Sequence, residues 1–230
     1  MPSAMTRHSH FIDNAARASR EDAVLPVVDP SDGVAFAQLA RGRAADVDAA
    51  VASSRAAADG AWGRLSATER GRLLARWSSL VEREAESLAT LESRDVGKPR
   101  SQALADARAL ARYLEFYAGA ADKLHGETLP YLPGYTVLTL REPHGVTGHI
   151  VPWNYPMQIF GRSVAAALAA GNACVVKPAE DASLSVLRAA ELAAEAGLPP
   201  GALNVVTGYG HEAGAALAAH RGIDHLSFTG

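Results

Sequence analysis

The first twenty residues hold few apolar positions in no regular order, and residues 1–20 read as a flexible tail. In LPVVDPSDGVAFAQLARG, apolar runs flank Asp29-Pro30-Ser31-Asp32-Gly33, a turn composition that predicts a hairpin. From about Ala45 to Trp62 the spacing turns helical, with Val47, Val51 and Ala58 on one face. Ser66-Ala67-Thr68-Glu69 then fits a capping box ahead of a long helix. Along that helix Leu73, Trp77, Leu80, Leu88 and Leu91 form one stripe, which Gly97 and Pro99 end. SQALADARALARYLEFYAGAADKL predicts another helix. In YTVLTLREP, Tyr135, Val137, Thr139 and Arg141 alternate with Thr136, Leu138 and Leu140, as in a strand with two distinct faces.

Beyond this strand the rhythm changes. GVTGHIVPW, ACVVKP, LNVVTG and HLSFTG are short runs rich in β-branched residues, and helical stretches such as SLSVLRAAELAAEAG separate them. That alternation predicts an α/β fold with a parallel sheet, right-handed crossovers, and ligands at the carboxyl ends of the strands. No internal repeat is present.

Composition narrows the picture further. Hydrophobic residues make up 48% of the 230 and charged residues 20%, the balance of an ordinary globular chain. The net charge of −3, without a long run of either sign, argues against nucleic acid or an anionic membrane surface as the main partner. The single cysteine excludes an internal disulfide and a cysteine-rich zinc site. No apolar run approaches the roughly 20 residues of a membrane span, and the N-terminus lacks a signal-peptide core. A cytoplasmic protein is expected.

Four strand ends carry candidate chemistry. In VPWNYP, prolines bracket Trp153-Asn154 and force a rigid, extended turn. The turn is either a structural device or the mount for an Asn154 amide donating to a developing oxyanion. In KPAE, Lys177 and Glu180 form either an exposed ion pair or a donor and acceptor for a ligand's hydroxyls. An acidic side chain beside a ribose would favour NAD by repelling a 2′-phosphate. GYGHEAG departs from the usual dinucleotide fingerprint, and its glycines can be merely conformational. SFTG would feed a helix whose N-terminal NH groups hold phosphate. Cys174 lies inside an apolar strand with no sign of an activating neighbour, and reads as a buried small hydrophobe.

Together these segments resemble the NAD(P)-dependent aldehyde dehydrogenase superfamily. REPHGVTGHIVPWNYP, ALAAGNACVVKPAE, AGLPPGALNVVTGYG and IDHLSFTG carry the likeness, in the family's order and spacing, with echoes in VGKP and YAGAADKLHGET. The resemblance implies a Rossmann-like parallel sheet with flanking helices, incomplete at its C-terminal end, plus an oligomerisation β-arm. It implies an NAD-binding domain at residues 21–124 and 144–230, and the first segment of the arm at 125–143. Homodimers or homotetramers follow for the complete protein. In such enzymes a cysteine thiolate attacks the aldehyde, the thiohemiacetal passes hydride to NAD, and water activated by a glutamate releases the acid.

By the same resemblance Asn154 matches the asparagine that steadies the oxyanion, and Ile150, Val151, Pro152 and Trp153 line the cofactor cleft. Lys177, Pro178, Ala179 and Glu180 match the segment at the adenosine ribose, and Gly210 the glycine beside the adenine. Thr229 and Gly230 match the start of the pyrophosphate turn. Tyr155, Ile159 and Arg162 match positions of the substrate tunnel, where Arg162 replaces an apolar or aromatic residue; it implies either a polar or anionic aldehyde or an arginine paired elsewhere. The cofactor is NAD, with NADP possible. The family's nucleophile and base fall after FTG, so the 230-residue chain alone is expected to be inactive, with the catalytic domain absent. The alternative is a genuine short product acting as a non-catalytic nucleotide-binding or subunit-association module.

Overall fold

The computed structural model describes residues 5–230. Strands β1 (Thr6–His8), β2 (His10–Ile12) and β3 (Ala15–Arg17) open the chain, and the hairpin of β4 (Val24–Val28) and β5 (Ala35–Ala40) follows. Helices α1 (Ala44–Asp59), α2 (Ala67–Arg83), α3 (Ala85–Val96) and α4 (Arg100–Ala120) come next. After the two-residue strands β6 (Thr128–Leu129) and β7 (Val137–Leu138), strands and helices alternate. These are β8 (Val146–Val151), α5 (Pro156–Ala169), β9 (Ala173–Pro178), α6 (Leu184–Glu195), β10 (Leu203–Val205), α7 (Ala215–Ala219) and β11 (His225–Phe228).

The main sheet has the order β11-β8-β9-β10-β2-β3. Its first four strands are parallel, as the alternating rhythm predicts, while β2 and β3 run antiparallel at the far edge. Both faces are covered. Cys174 and Val176 of β9 join the core beneath α2, α4, α5 and α6, where Trp77 meets Phe160 edge-on at 5.9 Å. Val175, between them, joins the second cluster with Val47 and Val51 of α1. A strand buried on both sides has no polar face, which is why ACVV reads as a continuous apolar run.

Three expectations are corrected. The flexible tail expected over residues 1–20 is ordered from residue 6 to residue 17, residues 1–4 lying outside the described part. Its strand β1 pairs with β5, and β2 extends the main sheet beside β10, burying Phe11 and Ile12 in the two clusters. The turn from β2 to β3 is Asp13-Asn14, both at positive φ (57° and 55°), which matches a tight hairpin turn that Asp and Asn tolerate. The single helix expected from Ser66 to Gly97 breaks at Glu84 (φ −94°, ψ 7°). Leu73, Trp77 and Leu88 stay buried across the break, so spacing alone is blind to it. The strand expected over YTVLTLREP shrinks to Val137–Leu138, paired only with β6, because no larger sheet lies beside it.

The capping box forms as predicted: the Ser66 hydroxyl accepts from the Glu69 N–H at 3.3 Å, and Glu69 accepts from the Ser66 N–H at 2.7 Å. Gly97, at φ 77°, terminates α3 in the left-handed region. No described helix is long and apolar enough to cross a membrane.

Candidate functional site

Parallel register sets the carboxyl ends of three strands level: Ile150 of β8 stands beside Lys177 of β9 on one side and Phe228 of β11 on the other. Just beyond, the Thr229 N–H donates to the Ile150 carbonyl at 3.2 Å. The strands open into a cleft of about 430 Å³ lined by Ile150, Val151, Pro152, Trp153 and Asn154, by Lys177, Ala179 and Glu180, and by Phe228, Thr229 and Gly230. Ten residues proposed from sequence thus meet in one place. Phe228 was missed, because only the pairing of β11 with β8 brings it to the cleft. Pro178 is buried in β9 and does not line the cleft.

The Lys177 side chain is 3% exposed, and its ammonium donates to Glu180 at 2.7 Å. Among the described residues Glu180 is its one hydrogen-bond partner, so a buried three-proton donor retains capacity for a ligand's oxygen. The other Glu180 oxygen accepts from the Gly210 N–H at 3.4 Å. Burial would raise the Glu180 carboxyl, but the hydrogen bonds from Lys177 and from backbone N–H groups outweigh it and hold it below the ordinary value. A charged acceptor beside a buried donor is a fitting cradle for a vicinal diol. Gly210 does not itself line the cleft, and a Cβ there would stand 4.0 Å from the Lys177 ammonium, an ordinary contact.

The turn carrying that glycine is itself fixed. Gly208 has φ 147°, and a Cβ there would lie 2.7 Å from the Gly42 carbonyl, so only glycine passes. The guanidinium of Arg41 grips Glu212 through two hydrogen bonds of 2.8 and 2.7 Å.

Asn154 is exposed at the cleft's rim, in the turn from β8 to α5, which Pro156 starts at the first helical position. Its side-chain oxygen accepts from the Tyr155 N–H at 3.1 Å, which leaves the amide NH₂ as the outward donor. Lys98, between α3 and α4, donates to the Asn154 carbonyl at 2.9 Å and to Glu92 and Asp106 at 2.8 and 2.7 Å. Burial opposes the charge on Lys98, yet the two carboxylates more than compensate and hold it above the ordinary lysine value. The sequence offered VGKP as the only hint of this lysine.

The three tunnel candidates, Tyr155 at the N-cap of α5 and Ile159 and Arg162 on it, do not line the cleft. The Tyr155 hydroxyl meets the Gln102 amide at 2.9 Å, Ile159 packs against the main core, and Arg162 is exposed without a charged partner among the described residues. Cys174 is fully buried, its Sγ 3.5 Å from the Thr147 hydroxyl, and burial pushes its pKa up to about 12. A thiol so placed is inert as a nucleophile. Among the described residues no group of three or more His, Cys, Asp or Glu side chains is placed to hold a metal ion.

A doubly covered, mainly parallel sheet whose strand ends open into a largely apolar cleft, with a buried lysine and a paired carboxylate as its charged groups, defines an α/β protein built to hold a nucleotide-like ligand. Comparison with known proteins makes the class specific. Residues 17–230 match the aldehyde dehydrogenase family, and the chain belongs to it. Aldehyde dehydrogenase family 2 member B4, mitochondrial, from Arabidopsis thaliana is 46% identical, over the whole of this chain and 43% of its own length. A solved structure from Burkholderia cenocepacia, provisionally described as an aldehyde dehydrogenase, is 72% identical over 96% of this chain and 46% of that one, with a TM-score of 0.94. The NAD⁺ complex of a Bacillus cereus aldehyde dehydrogenase is 38% identical over 97% of this chain and 46% of that one, with a TM-score of 0.95. The chain therefore spans less than half the length of each of these relatives.

Proposed function

We propose that this chain is the cofactor-binding portion of an enzyme that oxidises an aldehyde to a carboxylic acid with NAD. The observation that carries the reading is the meeting of Ile150–Asn154, Lys177, Glu180, Thr229 and Gly230 around one cleft at the strand ends. NAD, when bound, supplies the hydride acceptor. Lys177 and Glu180 hold the adenosine ribose by donating to one hydroxyl and accepting from the other, while Ile150 to Trp153 form an apolar wall. Thr229 and Gly230 begin the pyrophosphate turn, and Gly210 leaves room at the adenine end. The Asn154 amide donates to the oxygen of the reacting carbonyl as charge grows on it. The attacking thiolate and the water-activating carboxylate come from outside these 230 residues, in keeping with the burial of Cys174. The 230-residue chain alone is accordingly expected to show no turnover.

Segment 125–143 carries Leu129, Tyr131, Leu132, Tyr135, Leu138 and Leu140, all large and exposed. That supports its reading as the first part of a subunit-joining arm in a homodimer or homotetramer. The unpaired, exposed Arg162 favours a polar or anionic aldehyde over an arginine paired elsewhere. A cytoplasmic location belongs to the same proposal, with cell fractionation as its check, since a relative carries "mitochondrial" in its name.

The test is calorimetric titration of the native protein with NAD and NADP, followed by an aldehyde panel scored by NADH formation. Lys177→Ala is expected to weaken NAD binding by about tenfold or more, the size of one charge-assisted hydrogen bond. Glu180→Gln is expected to narrow the preference for NAD over NADP. Unchanged NAD affinity in Lys177→Ala, or NADH formation with no aldehyde, would overturn the reading.

A further inference from the structure

Lys98 has a place in the site that motif reading does not assign. Its side chain is 8% exposed, and it sits between two carboxylates still deeper, Glu92 at 0% and Asp106 at 1%. All three of its protons are used: one on Glu92, one on Asp106, and one on the main-chain carbonyl of Asn154. The carboxylates are themselves anchored. Glu92 accepts from the Ser185 hydroxyl on α6 at 3.0 Å, and Asp106 from the Gln158 amide on α5 at 2.6 Å. The ammonium therefore stands on a platform made by four helices.

The carbonyl it holds belongs to the peptide bond joining Asn154 to Tyr155. The N–H of that same peptide donates to the Asn154 side-chain oxygen. A peptide unit is planar, so fixing its carbonyl also fixes the direction of its N–H. That N–H in turn decides which way the side-chain amide faces. The Tyr155 ring lies 4.9 Å from the Lys98 ammonium, and its hydroxyl is held by Gln102, so the flanking residue is pinned as well. We propose that Lys98 is a positioning residue, which aims the Asn154 amide NH₂ by clamping the Asn154–Tyr155 peptide plane. The proposal rests on the dehydrogenase reading for its catalytic consequence; the clamp itself does not.

Removing Lys98 alone would strand two buried carboxylates, and such a variant can simply fail to fold. The experiment therefore compares the native protein with its Lys98→Met, Glu92→Gln, Asp106→Asn variant, which leaves no buried charge without a partner, each with Asn154 or Ala at position 154. With Asn154 present, the triple change is expected to lower kcat by about 10- to 100-fold, the cost of a misplaced catalytic group. KM and the NAD dissociation constant are expected to stay within about twofold, the margin for independent sites. With Ala at position 154 the same change is expected to alter kcat by less than about twofold, because a clamp has nothing left to aim. An equal loss in both backgrounds, or no loss with Asn154, would overturn the proposal.

Hydrogen exchange provides a readout that needs no turnover. The triple variant is expected to speed exchange of the Tyr155 amide by about tenfold while peptides from α2 and α4 keep their protection. An unchanged Tyr155 amide would sink the clamp whatever the activity. If the native protein oxidises no aldehyde, the reading of the function falls and the exchange result still decides the clamp.

Discussion

His149, Thr147 and Cys174 form one buried hydrogen-bonded chain, with the imidazole 2.9 Å and the thiol 3.5 Å from the shared hydroxyl. Burial drives both ends to their neutral forms, lowering His149 to about 4 and raising Cys174 to about 12. A cysteine and a histidine can be near neighbours and still make no nucleophile. The histidine has a consequence for stability. Its folded pKa lies below the ordinary 6.5, so the unfolded chain binds the extra proton first. Stability from this residue is full above about pH 6.5 and is lost as pH falls toward 4. Relative to His149→Gln, the wild type is expected to lose about 3 kcal/mol over that window, read from urea titrations at a series of pH values. Parallel pH dependences in the two proteins would refute this. At this scale Lys177, Glu180 and Asn154 were legible because they stand at or just beyond strand ends that are evident in the sequence. Phe228 and Lys98 were not, since one depends on strand pairing and the other on helices packed from far along the chain.

The elements show where local signals suffice. Ser66 and Glu69 satisfy each other's backbone donors in the first turn of α2, and the four-residue motif contains everything needed to foresee it. Ser66→Ala is expected to cost about 1 kcal/mol and lower the melting temperature by a few degrees, with α2 otherwise intact by circular dichroism. No change in melting temperature would mean that tertiary packing, not the cap, holds this end. The β2–β3 hairpin went unread for the opposite reason. Its strands are three residues each, too short for a periodic pattern, and the residues that make them strands belong to β10. The two-residue Asp13-Asn14 turn was the one available signal. The break at Glu84 left no signal at all, because neither glycine nor proline marks it.

Over the whole molecule, burial and exposure divide along the sheet. β8, β9 and β10 are covered on both faces, whereas β11 is the outermost strand of the described sheet and Phe228 on it is 65% exposed. An exposed edge with a large apolar side chain is a template for pairing with another chain. The 230-residue chain is expected to self-associate as its concentration rises, and Phe228→Lys to reduce that association, both measured by light scattering. A wild-type chain that stays monomeric at high concentration would contradict the expectation. The alternation of strands and helices made the layered architecture readable from the start, and the family resemblance, with the sheet incomplete at its C-terminal end, already made LSFTG an open edge; the other edge, β3, depends on a pairing that short apolar runs do not encode.

The antiparallel strand beside β10 also sets a timetable. Asp13 hydrogen-bonds the side chain of Asn204, 191 residues later in the chain. A ribosome adding about 5–20 residues per second needs roughly 10–40 s to deliver that partner. For that interval the edge of β2 that pairs with β10 stays open, although Ile12 can already meet Val47 and Val51 of α1. The β2–β3 hairpin is therefore among the last elements of this chain to reach its place in the main sheet, and until then its open edge is a ready handle for chaperones.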